Sequence, residues 1–150
     1  MNNSEIDGIP IRGQIDKLTI SEGKVHVVDF KTGQYKYGRS KVSPPTELID
    51  NPKESNFEKR YGGDYWRQIL FYKALLESNK SRSLEVTSGE IDFIEPVDGE
   101  YKKHKVYFTN EEYLFVRRQI KETYQRIQNL EFNQGCEDDQ CIWCSFDKHN

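Results

Sequence analysis

Two short apolar runs, Ile9 to Ile20 and Val25 to Phe30, are joined by Ser21-Glu22-Gly23-Lys24, and this leaves the chain little choice near its start. Both runs are rich in Ile and Val, and a short glycine-bearing link between such runs specifies an antiparallel hairpin. A four-residue loop pairs Ile20 with Val25 and a two-residue loop pairs Ser21 with Lys24; in either case paired numbers sum to 45. The same register sets Asp16 opposite Asp29. Directly opposed side chains share a face of the sheet, with their Cβ atoms ~5 Å apart. Two carboxylates at that separation repel by roughly 3 kcal/mol at an effective dielectric of ~20, a cost that a cation between them removes. A three- or five-residue loop would shift the register by one and put the two on opposite faces.

Side chains alternate along a strand, so Lys31 points to the same face as Asp29. An Asp-x-Lys alone is an ordinary solvated strand sequence; its pairing with a second carboxylate gives it weight. Two acidic ligands and an ammonium suit divalent-metal phosphodiester chemistry, in which hard oxygens hold Mg²⁺ and the lysine positions water or neutralises developing charge. From Asp64 to Asn79, Tyr65, Ile69, Tyr72 and Leu76 recur at helical spacing after Gly62-Gly63, which predicts an amphipathic helix with Asp64 as its N-cap. Gln68 and Tyr72, four apart, project from adjacent turns of its inward face. There they need hydrogen-bond partners: each other and the backbone, or else a metal's water or a phosphate oxygen.

The order Gly13-Gln14-Ile15-Asp16, then Asp29-Phe30-Lys31-Thr32-Gly33, then Gln68-x-x-x-Tyr72 on a following helix resembles the RecB-type branch of the PD-(D/E)XK nuclease superfamily. There G-x-x-D, D-x-K-T-G and Q-x-x-x-Y mark one active site. The segment from Ile91-Asp92-Phe93-Ile94-Glu95-Pro96 through Gly135-Cys136 to Cys141-Ile142-Trp143-Cys144-Ser145-Phe146 is similar to the end of the nuclease tail of UvrD/Rep-type ATP-dependent DNA helicases. The resemblance implies that Asp16 and Asp29 ligate Mg²⁺ or Mn²⁺ and that Phe30 adds its backbone carbonyl. It implies that Lys31 is the catalytic lysine and that Gln68 and Tyr72 complete the site. DNA is the implied substrate, with a helicase motor in the same or an associated chain and a role in DNA repair or recombination. The family usually has a further acid or histidine on an upstream helix, whereas only twelve residues precede Gly13, Glu5 and Asp7 among them. The sequence is therefore expected to be a fragment of a longer protein. It contains no G-x-x-x-x-G-K-[ST] phosphate loop, so no motor lies within it.

Between the hairpin and the Gln/Tyr helix, residues 34–63 form a long polar insertion with Pro44, Pro45 and Pro52 and no sustained periodicity. A connection of that length is functional or disordered. Lys36, Arg39, Lys41, Lys53, Lys59 and Arg60 interleave with Tyr35, Tyr37, Phe57 and Tyr61, a mixture that tracks a phosphate backbone and stacks on unpaired bases. Glu47, Asp50, Glu54 and Glu58 dilute it, so a solvated loop is the competing reading.

Beyond the helix, Leu84 to Glu95 and Tyr101 to Phe108 flank the turn Pro96-Val97-Asp98-Gly99 as a second hairpin. Thr109-Asn110-Glu111-Glu112 forms a capping box for a helix whose stripe, Tyr113, Val116, Ile120, Tyr124 and Ile127, is expected to be core. His26, His104 and His149 are scattered and receive no catalytic role. Cys136, Cys141 and Cys144, with His149, have a spacing that permits a zinc site. In related nuclease tails such cysteines hold an iron–sulfur cluster, but the final and upstream members are missing here. Packing, with cysteine as a small hydrophobe, is the preferred reading.

With 150 residues, 35% of them hydrophobic, the chain suits a single nuclease-like domain spanning 1–150. It has neither an 18-residue apolar stretch nor a signal peptide, which predicts a soluble cytoplasmic protein with no membrane partner. A net charge of −3 excludes a wholly electrostatic nucleic-acid binder, so any DNA contact is local and metal-assisted. The expected architecture is an α/β fold with a central mixed β-sheet flanked by helices and a restriction-endonuclease-like core. The expected function is that of a metal-dependent deoxyribonuclease module. The alternative is a catalytically silent nuclease-like module that binds DNA or docks a helicase motor.

Overall fold

The computed structural model describes residues 4–78 and 84–131. Residues up to Arg118 belong to one compact unit, and the chain from Gln119 onward belongs to a second. The first unit begins with a two-stranded sheet, β1 (Ser4–Ile6) and β2 (Ile9–Ile11), turned at Asp7-Gly8 with φ of 50° and 83°. The run from Ile9 to Ile20 is therefore not one strand. Its first residues pair back onto Ser4–Ile6 around Asp7-Gly8, where Asp and Gly tolerate positive φ, and residues 12–16 leave the ladder before pairing resumes at Lys17. Pro10, which has no N–H to donate, sits opposite Glu5 in this small ribbon.

The second hairpin joins β3 (Lys17–Ser21) to β4 (Lys24–Lys31). Its pairs run from Ser21↔Lys24 to Lys17↔Val28, the register in which partners sum to 45. Glu22 and Gly23, with φ of 51° and 78°, make the two-residue turn whose twist matches the strands it joins. Pairing stops at Lys17, one residue short of the expected Asp16–Asp29 pair.

The insertion at 34–63 is not structureless. It contains the short helix α1 (Tyr35–Gly38), a 3-10 turn (Arg39–Val42) and α2 (Phe57–Tyr61), with Asn56 Oδ1 capping the Lys59 N–H at 3.0 Å. It folds back on itself through Thr46 N–H to Lys59 O at 2.8 Å and Gly63 N–H to Ser43 O at 2.9 Å, and Val42 and Pro45 are buried. Local polarity hid these long-range ties.

Helix α3 (Asp64–Glu77) follows. Gly63 is its N-cap and Asp64 its first helical residue, one position from the expected cap, and the Asp64 carboxylate pairs with Arg67 one turn on. Trp66, Ile69, Leu70, Tyr72, Ala74, Leu75 and Leu76 are buried. Its position over the sheet is set by Gly89 on β5 (Glu85–Val97), because any side chain there would overlap Ile69. The Ser4 hydroxyl donates to Leu75 O at 3.1 Å and ties β1 to the same helix.

Strand β5 pairs parallel to β4 and antiparallel to β6 (Glu100–Val106), giving a mixed four-stranded sheet of order β3-β4-β5-β6. The β5–β6 turn is Asp98-Gly99 alone, with φ of 53° and 78°; the strand passes through Pro96 where the ladder is already irregular and no amide is required. Helix α4 (Asn110–Gln128) opens on the expected capping box, with Thr109 N–H to Glu112 Oε2 at 2.6 Å and Glu112 N–H to Thr109 Oγ1 at 3.2 Å. In the first unit its stripe is core as expected, with Val116 buried beside Phe115. The architecture is α/β, a mixed four-strand sheet flanked by helices. No helix among the described residues is long and apolar enough to cross a membrane. Cys136, Cys141, Cys144 and His149 lie outside the described residues.

Candidate active site

The parallel β4–β5 pairing puts Asp29 beside Ile91 in the middle of the sheet, facing α3. Apolar Val25 and Val27 precede it on that face, each with no exposed surface, and Asp29 itself is only 3% exposed. A buried carboxylate needs compensation, and here neighbours on two elements supply it. Tyr72 donates its hydroxyl to Asp29 Oδ1 at 2.8 Å, and Gln68 Nε2 donates to the same oxygen at 3.0 Å. The Gln68 amide also donates to the Tyr72 hydroxyl at 2.7 Å, closing a ring of three polar groups.

Lys31, two residues along β4, reaches the same place. Its Nζ donates to Gln68 Oε1 at 2.7 Å and lies 2.7 Å from Asp29 Oδ2. That second contact is an ion pair, so Lys31 compensates the Asp29 oxygen that Gln68 and Tyr72 do not reach. Gln68 thus orients both ends of the pair, its carbonyl on the lysine and its amide on the aspartate. Burial, and then the bond to Asp29, pushes the Tyr72 hydroxyl well above the ordinary tyrosine range, so it remains a donor at neutral pH.

Asp16 arrives from the segment before β3. Its Oδ2 accepts the Phe30 N–H at 2.9 Å, which fastens this exposed carboxylate to the peptide unit after Asp29. Asp16, Asp29, Phe30, Lys31, Gln68 and Tyr72 are thereby gathered at the β4–α3 junction.

One neighbour went unrecognised as polar machinery. Tyr65 receives the Lys31 ammonium 4.6 Å from its ring centroid and packs on Phe93 at 6.2 Å. Its spacing of three before Gln68 and seven before Tyr72 puts all three on one helix face, and that spacing was the available signal.

The insertion's cations are not equivalent. The Arg60 guanidinium is engaged by Asp50 and by the Tyr61 ring, and Lys36 lies over Tyr37. Arg39 and Lys59 are exposed, while Lys41 reaches the site, 5.6 Å from the Tyr65 centroid.

Among the described residues no group of three or more His, Cys, Asp or Glu side chains converges to hold a metal ion. The donor set here is the exposed carboxylate of Asp16 and the buried carboxylate of Asp29, whose Oδ2 faces the Lys31 ammonium. That set fits Mg²⁺ or Mn²⁺, since Mg²⁺ is bound through one or two carboxylates and retains several waters.

The family model of the PD-(D/E)XK nuclease superfamily matches residues 2–148. No curated protein and no solved structure matches the chain. The family match spans nearly all of the 150 residues and agrees with the mixed sheet flanked by helices, so the chain belongs to the PD-(D/E)XK nuclease superfamily.

Proposed function

We propose that this protein is a metal-dependent deoxyribonuclease of the RecB type that hydrolyses DNA phosphodiester bonds beside a helicase motor in the same or an associated chain. The observation that carries the reading is the treatment of Asp29. It is buried to 3% exposure, oriented by Gln68 and Tyr72 through one oxygen, and paired through the other with Lys31 at 2.7 Å. A buried acid held at once by an amide, a tyrosine hydroxyl and an ammonium, at the mouth of the β4–α3 junction, is the mark of a functional carboxylate.

Asp16 and Asp29 are the residues to hold Mg²⁺ or Mn²⁺, with the Phe30 carbonyl as a further oxygen. The ion, when bound, supplies Lewis acidity and a water of lowered pKa. Lys31 stands beside Asp29 with its ammonium aimed by Gln68 and steadied over Tyr65, the placement required to meet negative charge building on a phosphoryl oxygen. Tyr72, held protonated, keeps Asp29 from turning away. The pairing with a helicase and a place in DNA repair rest on the similarity of the C-terminal segment to helicase nuclease tails.

The test is cleavage of end-labelled single- and double-stranded DNA with Mg²⁺, Mn²⁺ or EDTA, using the parent, Asp29→Asn and Lys31→Ala. The reading expects metal-dependent cleavage that both substitutions remove. Cleavage that survives Asp29→Asn would overturn it. The Lys31–Asp29 ion pair favours a second reading, a silent module whose lysine replaces the ion. Metal-independent DNA binding without cleavage is its signature.

A further inference from the structure

Two lysines share one tyrosine. Lys31 and Lys41 place their Nζ atoms 4.6 Å and 5.6 Å from the Tyr65 ring centroid, although they come from different elements. Their electrostatic situations differ. The charge of Lys31 is met by Asp29, whereas among the described residues Lys41 has no carboxylate partner, only the ring. Lys41 is a half-buried ammonium with no acid beside it among the described residues, and a cation–π contact returns only about 0.5–1 kcal/mol. Its charge is thus open to an anion.

The position of Lys41 is also built rather than incidental. The backbone of Gly63, the N-cap of α3, lies so close to the Lys41 carbonyl that any side chain at 63 would overlap it. The adjoining Gly63 N–H donates to Ser43 O at 2.9 Å. On the other side of the turn, a methyl at Gly38 would come within 2.5 Å of the Phe93 ring and 3.1 Å of Tyr65. The 3-10 turn is therefore locked to the same helix that carries Gln68 and Tyr72. Arg60, by contrast, is neutralised by Asp50.

We propose that Lys41 is a phosphate-binding residue that takes the backbone phosphate neighbouring the one presented to Lys31, so that the two ammoniums flanking Tyr65 set the register of a nucleic-acid strand on the site. This rests on the nuclease reading above and assigns it a substrate contact. Lys41 binds through charge, so it contributes to affinity irrespective of sequence and without metal.

The experiment is fluorescence anisotropy of a fluorescein-labelled single-stranded oligonucleotide against the full chain in EDTA, across a range of NaCl. Lys41→Met, which keeps the stem, should weaken binding roughly 5-fold at low salt and reduce the slope of log K against log salt by about 0.7, one single-strand phosphate contact. Lys41→Arg should keep the parent slope, and Lys24→Ala, exposed at the β3–β4 turn, should match the parent in both respects. With Mg²⁺, Lys41→Met should raise KM with kcat nearly unchanged. Parent affinity and slope in a folded Lys41→Met would overturn the proposal, as would a Lys41→Arg protein no better than Lys41→Met. A parent that cleaves DNA while Lys41→Met binds like it removes only the subsite; a parent that neither binds nor cleaves DNA removes the nuclease reading and the subsite with it.

Discussion

The carboxylate of Asp16 accepts the Phe30 N–H at 2.9 Å, and this bond secures it to the strand that bears Asp29. The two acids share a location but not an environment, since Asp16 is exposed and Asp29 buried. Their neutral substitutions should therefore separate. Asp16→Asn keeps an oxygen for the Phe30 N–H and should change apo stability by less than about 0.5 kcal/mol. Asp29→Asn leaves Lys31 without its counter-charge in a part-buried site and should cost about 1–3 kcal/mol. If the two acids hold the ion as proposed, Mg²⁺ should raise the parent's melting temperature and both variants should lose that rise. Thermal melts with and without MgCl₂ decide it, and an undiminished metal shift in either variant would exclude that residue as a ligand.

The role proposed for Lys31 separates binding from rate. Replacing it with Ala removes a positive charge 2.7 Å from Asp29 Oδ2, so metal affinity measured by calorimetry should hold or rise. Cleavage should nevertheless slow by ~10² or more, because the charge facing the phosphoryl group is gone. The apo protein should also melt lower, its buried carboxylate having lost its partner. Parent-rate cleavage by Lys31→Ala would make the lysine structural.

The β3–β4 register was readable because it depends on a local signal, a two-residue turn that demands positive φ at Glu22 and Gly23. Gln68 and Tyr72 were readable for a similar reason, since helix periodicity alone puts residues four apart on one face. What escaped depends on contacts distant in sequence. The break at residues 12–16, which takes Asp16 off the ladder and onto the Phe30 amide, follows from Ser4–Ile6 claiming Ile9–Ile11. The parallel alignment of Asp29 with Ile91 and the clamp between Gly63 and Lys41 join segments that no local pattern relates.

Tyr72 carries a pH dependence whose sign can be worked out. Burial, and then the Asp29 hydrogen bond, raises its hydroxyl above the ordinary value of 10.0. The folded protein thus keeps a proton that the unfolded chain surrenders, so the contribution is complete below pH 10 and is lost as pH rises beyond it. This one group steepens the alkaline fall by up to about 1.4 kcal/mol per pH unit. Tyr72→Phe should be about 1 kcal/mol less stable at neutral pH, having lost one buried hydrogen bond. It should also show a shallower decline between about pH 10 and about pH 11. Tyr113, also raised by burial, is present in both proteins and cancels in the comparison. Urea unfolding of the pair across that range makes the test, and parallel declines would contradict the assignment.

Gly63 joins the insertion to the site helix. Its φ of −66° is open to any residue, so the demand for glycine comes from contact, the Lys41 carbonyl lying where a Cβ would go. A backbone carbonyl cannot swing aside as a side-chain tip can. Gly63→Ala should therefore push the 3-10 turn away from α3 and cost about 1–3 kcal/mol, the usual range for forced overpacking. The Gly63 N–H bond to Ser43 should weaken with it, so protease should cut residues 34–63 faster than in the parent. Gly33→Ala is the matched control, because nothing lies within 4 Å of a Cβ there. If Gly63→Ala melted with the parent and resisted protease equally, the clamp that holds Lys41 beside Tyr65 would not be the source of the insertion's order.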